Sequence, residues 1–515
     1  MKPQGVRRSG LTPLSVACAV LLLLGVSAVL AGVALPREVD HDEHQFVASG
    51  ALLAHFGLLP YRDYPYFHLP NLVYLYGLID LVAASPLLAA RLASLVFALL
   101  SLGIVYWLVW SELEAARPLL RMSMAGSAVV LMAFSPLSFY TVGRAWNHDA
   151  AVAFFLLALV LSRAAGRRAS SWPLVGAGLA AGLAVGSRLS FAPAAIGLAL
   201  VIVLWTRREG LTQRMRSVAQ YALGGALGLV PTLALAWLAP RAFRFGNIEY
   251  AALNTAYRQA MGFTTAMDLS GKMQFVLDEV LLEPRGAILF ISLAVFLAAD
   301  AIGLFRFRGE GRRVPLAIGI LFPFLLWGAL APTPGWYQYF TMLVPFAAVA
   351  SVLSAARVHL GRRRWPLGAG WVILAALAAT WLSRAEVTSV RSLLRPEAWA
   401  PTAVRAVGAR IAQEAGGGPV LTLSPIYALE GGQPIYEQFA SGPFAWRVSP
   451  LVPRIAREAL HVVSPEELEA VLTARPPAGI LVGREADLEG EFVAYAMAHA
   501  YRPLEVGEGL TLWVR

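Results

Sequence analysis

Five consecutive ionisable residues, Asp40-His41-Asp42-Glu43-His44, follow the first long apolar run of the chain, which extends from about 11 to 35. That run is long enough to cross a bilayer as one helix. Carboxylates at such an edge should be hydrated or engaged with a partner, because burial in lipid is costly. A carboxylate there could accept the proton of an attacking hydroxyl group. The segment therefore predicts a polar, chemically active loop directly after the first membrane helix.

Asp42 is the candidate general base of this loop, and Asp40 is a rival for the same role. Glu43 is a candidate to orient an acceptor or to bind a cation. Structural explanations exist for both: Asp42 with Gln45 could cap the following helix, and Glu43 could be a favourable charge on its first turn. The residue types favour proton transfer at Asp42, with Glu43 beside it.

Four of the eight histidines lie in this one loop: His41, His44, His55 and His68. Imidazole and carboxylate groups together suit zinc or manganese. The spacing matches no known ligand motif, so a tight metal site is the less favoured interpretation.

Three further charged residues stand where the loops reach the same side of the membrane. Arg144 and Arg188 could each hold a phosphate, although an arginine near a membrane edge can also be an anchor. Asp149 stands at the entrance of an apolar span, where a carboxylate is costly and therefore indicates function. Arg62 and Asp63 are expected simply to pair with each other.

The composition indicates a polytopic membrane protein. Of the 515 residues, 58% are hydrophobic and only 14% are charged, whereas soluble domains have about 45–50% and about 25%. The net charge of +10 is explained by arginines in short loops that set membrane orientation, so no nucleic-acid partner is expected. The single cysteine, Cys18, cannot form an intrachain disulfide.

Apolar spans recur along the chain and predict about eleven membrane helices. Basic residues fall in alternate loops, which places the N-terminus inside and the C-terminus outside. The spans cover 11–35, 87–110, 123–141, 149–165, 172–187, 190–205, 217–239, 286–304, 314–331, 339–356 and 366–383.

The predicted organisation is an all-α membrane domain over 1–383, with external loops at 36–86 and 240–285, and a small external α/β domain over 384–515. In the first loop, 43–56 reads as an amphipathic helix at the interface, and 70–84 as an interfacial or dipping segment. The tail segments are expected to be a helix over 402–415 that ends at glycines, a helix opened by the capping box of Ser464 and Glu467, and strands over 419–424, 478–483 and 510–514.

Several blocks, in order, resemble the GT-C superfamily of glycosyltransferases, and within it the protein O-mannosyltransferase and lipid A aminoarabinose transferase branch. The resemblance covers roughly 10–360 in scattered pieces. The blocks are Asp42-Glu43-His44-Gln45-Phe46, the run Pro65 to Tyr74, Ala89-Ala90-Arg91-Leu92, Gly143-Arg144 with Asp149, Gly178 to Arg188, and Tyr337-Gln338-Tyr339 with Pro345.

This resemblance implies transfer of one sugar from a polyprenyl-phosphate carrier to a hydroxyl acceptor, which is a glycan, lipid or protein, at the outer face of a bacterial cytoplasmic membrane. It implies donor contacts at Arg144, Arg188, His68, Tyr337 and Tyr339, although tyrosines are also common at membrane interfaces. His68-Leu69 stands where the aminoarabinose branch has Glu-Lys, whose lysine contacts phosphate. A divalent cation, Mg²⁺ or Mn²⁺, is implied at Asp42 and Asp149.

Two other classes of function remain open from the sequence. One is a transporter or flippase of lipid-linked saccharides, which would need a polar path through the bilayer. The spans contain few central charges, which argues against it. The other is a non-catalytic assembly partner whose tail binds another protein.

Overall fold

The computed structural model describes residues 13–165, 172–206, 210–301, 313–360 and 367–515. The chain is mostly helical, and many of the helices begin with a proline in their first turn, where its fixed φ suits a helix start. From the N-terminus to the end of the apolar region the α-helices are α1 (Pro13–Ala34), α2 (His41–Ala51), α3 (Asn71–Asp80), α4 (Pro86–Glu112), α5 (Pro118–Ala133), α6 (Pro136–Thr141), α7 (His148–Ala165), α8 (Trp172–Ser187), α9 (Ala192–Trp205), α10 (Leu211–Gly228), α11 (Val230–Leu238), α12 (Pro240–Arg244), α13 (Tyr250–Ala260), α14 (Leu269–Phe275), α15 (Pro284–Ala301), α16 (Arg313–Leu330), α17 (Val344–Leu360) and α18 (Leu367–Leu382). The tail adds α19 (Arg384–Thr388), α20 (Ala400–Ala415), α21 (Pro425–Glu430), α22 (Pro443–Val448), α23 (Arg454–Arg457), α24 (Pro465–Ala474) and α25 (Gly490–Ala498).

Four helical segments are long and apolar enough to cross a membrane, and up to seven spans result if each of three bent helix pairs counts as one. Four shorter apolar helices accompany them. The protein is thus a multi-pass membrane protein by length and composition, while the predicted number of about eleven spans stays a prediction. The four long segments are Val16–Ala34, Pro86–Glu112, His148–Ala165 and Tyr337–Arg357; the bent pairs are Leu211–Gly228 with Val230–Leu238, Leu269–Leu281 with Pro284–Ala298, and Gly368–Leu382 with Arg384–Leu394; the shorter helices are Pro118–Ala133, Trp172–Ser187, Leu189–Trp205 and Val314–Leu330.

Many of the arginines on which the predicted orientation depends lie outside the residues that the structure describes. The orientation, with the N-terminus inside, therefore remains a prediction from the sequence. The basic residues that lie outside the described residues are Lys2, Arg7, Arg8, Arg167, Arg168, Arg207, Arg208, Arg306, Arg308, Arg312, Arg362, Arg363 and Arg364.

The tail carries a four-stranded sheet formed by β1 (Val420–Thr422), β2 (Gly479–Val482), β3 (Arg502–Gly507) and β4 (Leu510–Val514), in the order β1-β2-β4-β3. β1 pairs with β2 in parallel, and β4 runs antiparallel to both β2 and β3. The three predicted strands and the capping box at Ser464 are confirmed. β3 was not predicted, because an edge strand with Pro503 and exposed charges lacks the apolar alternation of a strand.

The predicted interfacial position of 43–56 is wrong. α2 is buried along most of its length, from Glu43 to Ala51, and its neighbours are α3, α4 and the tail helix α21. Residues of the first loop and of the tail share one hydrophobic cluster, which includes Phe46 and Leu72 from the loop and Val404 from the tail. The tail therefore covers the loop and takes the place that lipid was expected to have.

Glu430 of α21 joins the tail to the start of α4. Its carboxylate accepts hydrogen bonds from the Ser85 hydroxyl at 2.9 Å and from the Leu87 N–H at 2.8 Å. Donors at a helix N-terminus favour the charged carboxylate, but burial outweighs them and raises the pKa of Glu430 to about 7. This carboxyl group is therefore only about half ionised near neutral pH.

The pKa of Glu430 is higher in the folded protein than in the unfolded chain, so this residue contributes most to stability at low pH. That contribution is lost as pH rises from 4.5 towards about 7. Glu430→Gln, which keeps an oxygen for both donors, is expected to raise the unfolding temperature by a few degrees at pH 8 and to change it little at pH 5. Thermal unfolding in detergent at the two pH values checks this. An equal shift at both pH values, or a less stable variant at pH 8, contradicts it.

Candidate active site

The start of α2 fixes the acidic segment in a defined geometry. Asp40 is the N-cap, and its carboxylate accepts the Asp42 N–H at 2.9 Å, while Glu43 accepts the Asp40 N–H at 3.1 Å. This is a capping box formed by Asp40 and Glu43. The alternative in which Asp42 and Gln45 cap the helix is therefore wrong, and the Asp42 side chain is free of capping.

Glu43 is fully buried and paired with Arg91. The two side chains make hydrogen bonds of 2.7 and 2.9 Å, and the Ala145 N–H adds a third at 2.8 Å. Burial alone would raise the pKa of Glu43, but the Arg91 charge and these hydrogen bonds hold it below its ordinary value. Arg91 also donates to the Arg37 carbonyl at 2.6 Å. Glu43 does not line the cavity described next, so its contacts anchor the loop to α4.

A cavity of about 190 Å³ opens beside α2. Its walls come from six separate parts of the sequence: the first loop, the segment up to the start of α7, the end of α8, the segment before the late span, α13 and the tail. The lining residues are Asp40, His41, Asp42, Phe46, Phe67, His68, Tyr140, Trp146, Asn147, His148, Arg188, Tyr250, Asn254, Arg258, Trp336, Gln338, Tyr339, Phe444 and Arg447.

Asp42 reaches this cavity with its carboxylate, and 22% of its side chain is exposed. Its oxygen lies 3.9 Å from the His41 Nε2. Burial raises the pKa of Asp42, and the charges of His41, Arg447 and Arg188 offset this in part. A carboxylate with a raised pKa is a stronger base than an ordinary aspartate, so the geometry suits acceptance of a proton.

Arg188 is held rigidly on the opposite part of the wall. Its Nη1 donates to Asn147 Oδ1 at 2.9 Å, and the Asn147 amide donates to the Ser187 carbonyl at 3.0 Å. The guanidinium carbon lies 5.0 Å from the centre of the Tyr339 ring. Arg188 and Tyr339 are thus brought together as predicted, in a position where the arginine can meet an anion.

The other predicted donor contacts take different positions. His68 lines the cavity, and its ring stacks on Phe46 with centroids 5.0 Å apart. Arg144 does not line the cavity; it lies 3.4 Å from the Asp40 carboxylate and 4.8 Å from the Trp146 ring. Tyr337 packs against Tyr140 behind the wall. Arg144 and Tyr337 therefore support lining residues without lining the cavity themselves.

Asp149 does not join the Asp42 cluster. Its carboxylate accepts the Gly143 N–H at 3.0 Å and borders a separate cavity of about 30 Å³. Within the described part of the chain, the three neighbouring groups that could share an ion are Asp40, His41 and Asp42, whose ligand atoms lie within 4.8 Å of one another. A shared site for Asp42 and Asp149 is not what this arrangement suggests.

Two external segments contribute residues that the sequence did not single out. Arg447 of α22 donates to the Tyr250 hydroxyl at 3.1 Å and lies over the Phe444 ring at 4.3 Å. The Tyr250 ring in turn packs on Phe67, with centroids 4.0 Å apart. Arg258, on the same helix α13 as Tyr250, lies 5.4 Å from the Trp336 ring. The tail therefore completes the cavity, which no local motif of α22 indicates.

The apolar helices, the charged helix start after the first span and the tail are arranged as in the GT-C fold, because the chain is similar to solved structures with this fold. ArnT from Cupriavidus metallidurans, bound to undecaprenyl phosphate, is similar with a TM-score of 0.58 and 15% identity over 96% of this chain and 97% of that chain. Its apo state gives a TM-score of 0.56 and 16% identity over 97% of each chain.

The oligosaccharyltransferase of Archaeoglobus fulgidus, tethered with an acceptor peptide containing the NVT sequon, is similar with a TM-score of 0.51 and 13% identity, over 90% of this chain and 69% of that chain. Comparison with protein-family models and with curated protein sequences finds no match. At these identities the likeness concerns the fold.

Proposed function

We propose that this protein is an integral-membrane glycosyltransferase that moves a single sugar from a polyprenyl-phosphate carrier to a hydroxyl group of a glycan, lipid or protein. The observation that carries the proposal is the Asp42 carboxylate, free of capping and set in one cavity with Arg188 and Arg447. The neighbouring ArnT structure is bound to undecaprenyl phosphate, which supports a carrier of this type.

In the proposed reaction the acceptor oxygen attacks the anomeric carbon of the sugar as the bond from that carbon to the phosphate oxygen breaks. The bonding electron pair leaves with the phosphate, and the acceptor proton passes to Asp42. The products are the glycoside and the polyprenyl phosphate. Arg188 stabilises the charge that develops on the leaving phosphate, since a fixed cation in a water-poor site acts without reorganisation.

A divalent cation fits the site in part. Asp40, His41 and Asp42 offer two carboxylates and an imidazole, which suit Mn²⁺ better than Mg²⁺. One Asp40 oxygen already caps α2, and Arg144 lies near the other. When bound, such an ion would supply positive charge to the phosphate of the carrier. The chain itself supplies the proton acceptor, Asp42, and holds Arg188 in place through Asn147.

The site belongs at the outer face of a bacterial cytoplasmic membrane in this proposal. The basic loops predict that the N-terminus is inside, and the first loop follows the first span. The tail, the first loop and the 240–285 loop would then meet outside, where they form the cavity. The tail acts there as part of the catalytic domain, because it supplies Phe444 and Arg447.

The pH dependence of the reaction should report Asp42. The base must be deprotonated, and its pKa is raised by burial, so kcat is expected to fall on the acidic side at a pH above the ordinary carboxyl range. The acidic limb of the kcat profile checks this. An activity that stays level down to pH 4 contradicts the assignment.

The proposal is tested by offering purified protein in proteoliposomes a panel of polyprenyl-phosphate sugars, with a native cell-envelope extract as the acceptor. Release of polyprenyl phosphate that depends on the extract is the expected result. Movement of an intact donor across the bilayer without its consumption would indicate a flippase. Absence of both activities in folded protein would indicate an assembly partner.

A further inference from the structure

Two histidines of the cavity have no hydrogen-bond partner for their rings among the described residues. His148, the first residue of α7, is 6% exposed, and both ring nitrogens are buried. His68 is half-buried against Phe46 and faces the same cavity. Buried polar groups in folded proteins are nearly always hydrogen-bonded, so a ligand is the natural partner for the His148 ring.

His148 lies beside the part of the cavity wall that holds Arg188. His148 packs on Trp146, with ring centroids 5.4 Å apart, and the indole N–H of Trp146 is also buried without a partner. His148 follows Asn147, which holds Arg188. The unsatisfied groups thus lie next to the arginine that is proposed to hold the carrier phosphate, where the sugar attached to that phosphate must lie.

Burial and the neighbouring Arg188 charge together lower the pKa of His68 to about 3, so its imidazole is uncharged near neutral pH. A neutral imidazole carries one donor and one acceptor, as does a hydroxyl group. His148 lines the cavity, and turning its ring about the bond to Cβ would exchange nitrogen and carbon positions within the same space.

We propose that His68 and His148 form a subsite that binds the hydroxyl groups of the transferred sugar, and that this sugar is uncharged. The inference rests on the proposed function. An ammonium-bearing sugar would meet an excess of positive charge, because Arg188, Arg258 and Arg447 outnumber the Asp40 and Asp42 carboxylates in the same small cavity. A carboxylate offers only acceptors, whereas the imidazole pair offers donors and acceptors together.

The test uses short-chain prenyl phosphates that carry mannose, glucose, glucosamine or glucuronic acid, offered to the full-length protein in detergent with the cell-envelope extract as the acceptor. Wild-type protein is expected to consume the mannose or glucose donor in preference to the two charged ones. His148→Phe is expected to raise the KM for the preferred donor about 3- to 10-fold, as for a lost neutral hydrogen bond, with a smaller effect in His148→Gln, which keeps a donor and an acceptor.

His499→Phe in the tail is the matched control, because His499 stacks on Tyr495 outside the cavity, and its donor KM should equal that of the wild type. Donor binding measured by calorimetry should weaken in His148→Phe, and thermal unfolding shows whether the variants are folded. Consumption of only the charged donors, or an unchanged donor KM in folded His148→Phe, overturns the subsite but leaves the glycosyltransferase standing. Failure to consume any donor overturns the proposed function and the subsite together.

Discussion

Replacing Asp42 with asparagine is expected to lower kcat by about 10²–10⁴-fold, the usual contribution of a positioned general base. Asparagine keeps the size and one oxygen of aspartate but cannot take the acceptor proton. Because Asp42 does not cap α2 and 22% of its side chain is exposed, the variant should fold normally. Steady-state turnover of the preferred donor, with KM and kcat separated, measures the effect.

Asp487→Asn is the control for this variant, since Asp487 is exposed on the tail and does not line the cavity; it should turn over like the wild type. Asp40→Asn serves as a second comparison. It keeps a side-chain oxygen that can cap α2, since asparagine and aspartate are about equally good N-caps, and should affect kcat less than Asp42→Asn. Turnover of Asp42→Asn close to that of the wild type would move the base to Asp40.

Replacing Arg91 with leucine is expected to destabilise the protein by about 3–5 kcal/mol, because it leaves the Glu43 charge buried without its partner. Both side chains of this pair are 0% exposed and lie 2.7 Å apart. Arg91 also holds the carbonyl of Arg37 in the segment that leads to α2. The loss should therefore also displace Asp42. Thermal or chemical unfolding in detergent gives the change in stability.

A matched control exists in the same loop. Arg62 and Asp63 form a pair of 2.6 Å whose arginine is 42% exposed, as the sequence predicted. Arg62→Leu is expected to change stability by no more than about 1 kcal/mol. Adding Glu43→Leu to Arg91→Leu should restore part of the lost stability, because no unpaired charge remains. Equal effects of Arg62→Leu and Arg91→Leu would contradict the role given to the buried pair.

The sequence predicted the apolar helices and much of the tail because these depend on local patterns. A run of about 20 apolar residues identifies a membrane span wherever it packs, and the box of Ser464 and Glu467 opens α24 without help from distant residues. β3 was missed because it is stabilised by its pairing with β4 rather than by its own composition.

The candidate site could be predicted only in part. Asp42, Arg188, His68 and Tyr339 line the cavity; the sequence indicated the first two by their type and position next to spans, and the other two by the family resemblance. Asp42 faces the cavity, whereas Glu43 faces an arginine. This difference depends on side-chain direction in the folded chain, so the sequence could not separate the two carboxylates. Arg447 contacts Tyr250, which lies far away in sequence, and such a contact leaves no local signal.

The sequence also did not predict that the tail covers α2, because this contact too joins distant parts of the chain. An amphipathic pattern shows that a helix has an apolar face, but it does not show whether lipid or another part of the protein covers that face. Here α21 and α3 cover the apolar face of α2. The tail also forms part of the cavity wall, which lipid could not do.

The measurement that tests the central claim most directly is acceptor-dependent release of polyprenyl phosphate by wild-type protein and by Asp42→Asn, side by side, in proteoliposomes with a neutral-sugar donor. The account predicts release by the wild type and a loss of at least about 10²-fold in the folded variant. Equal release by both proteins would contradict the assignment of Asp42, and a donor that stays intact with folded wild-type protein would contradict the glycosyltransferase itself.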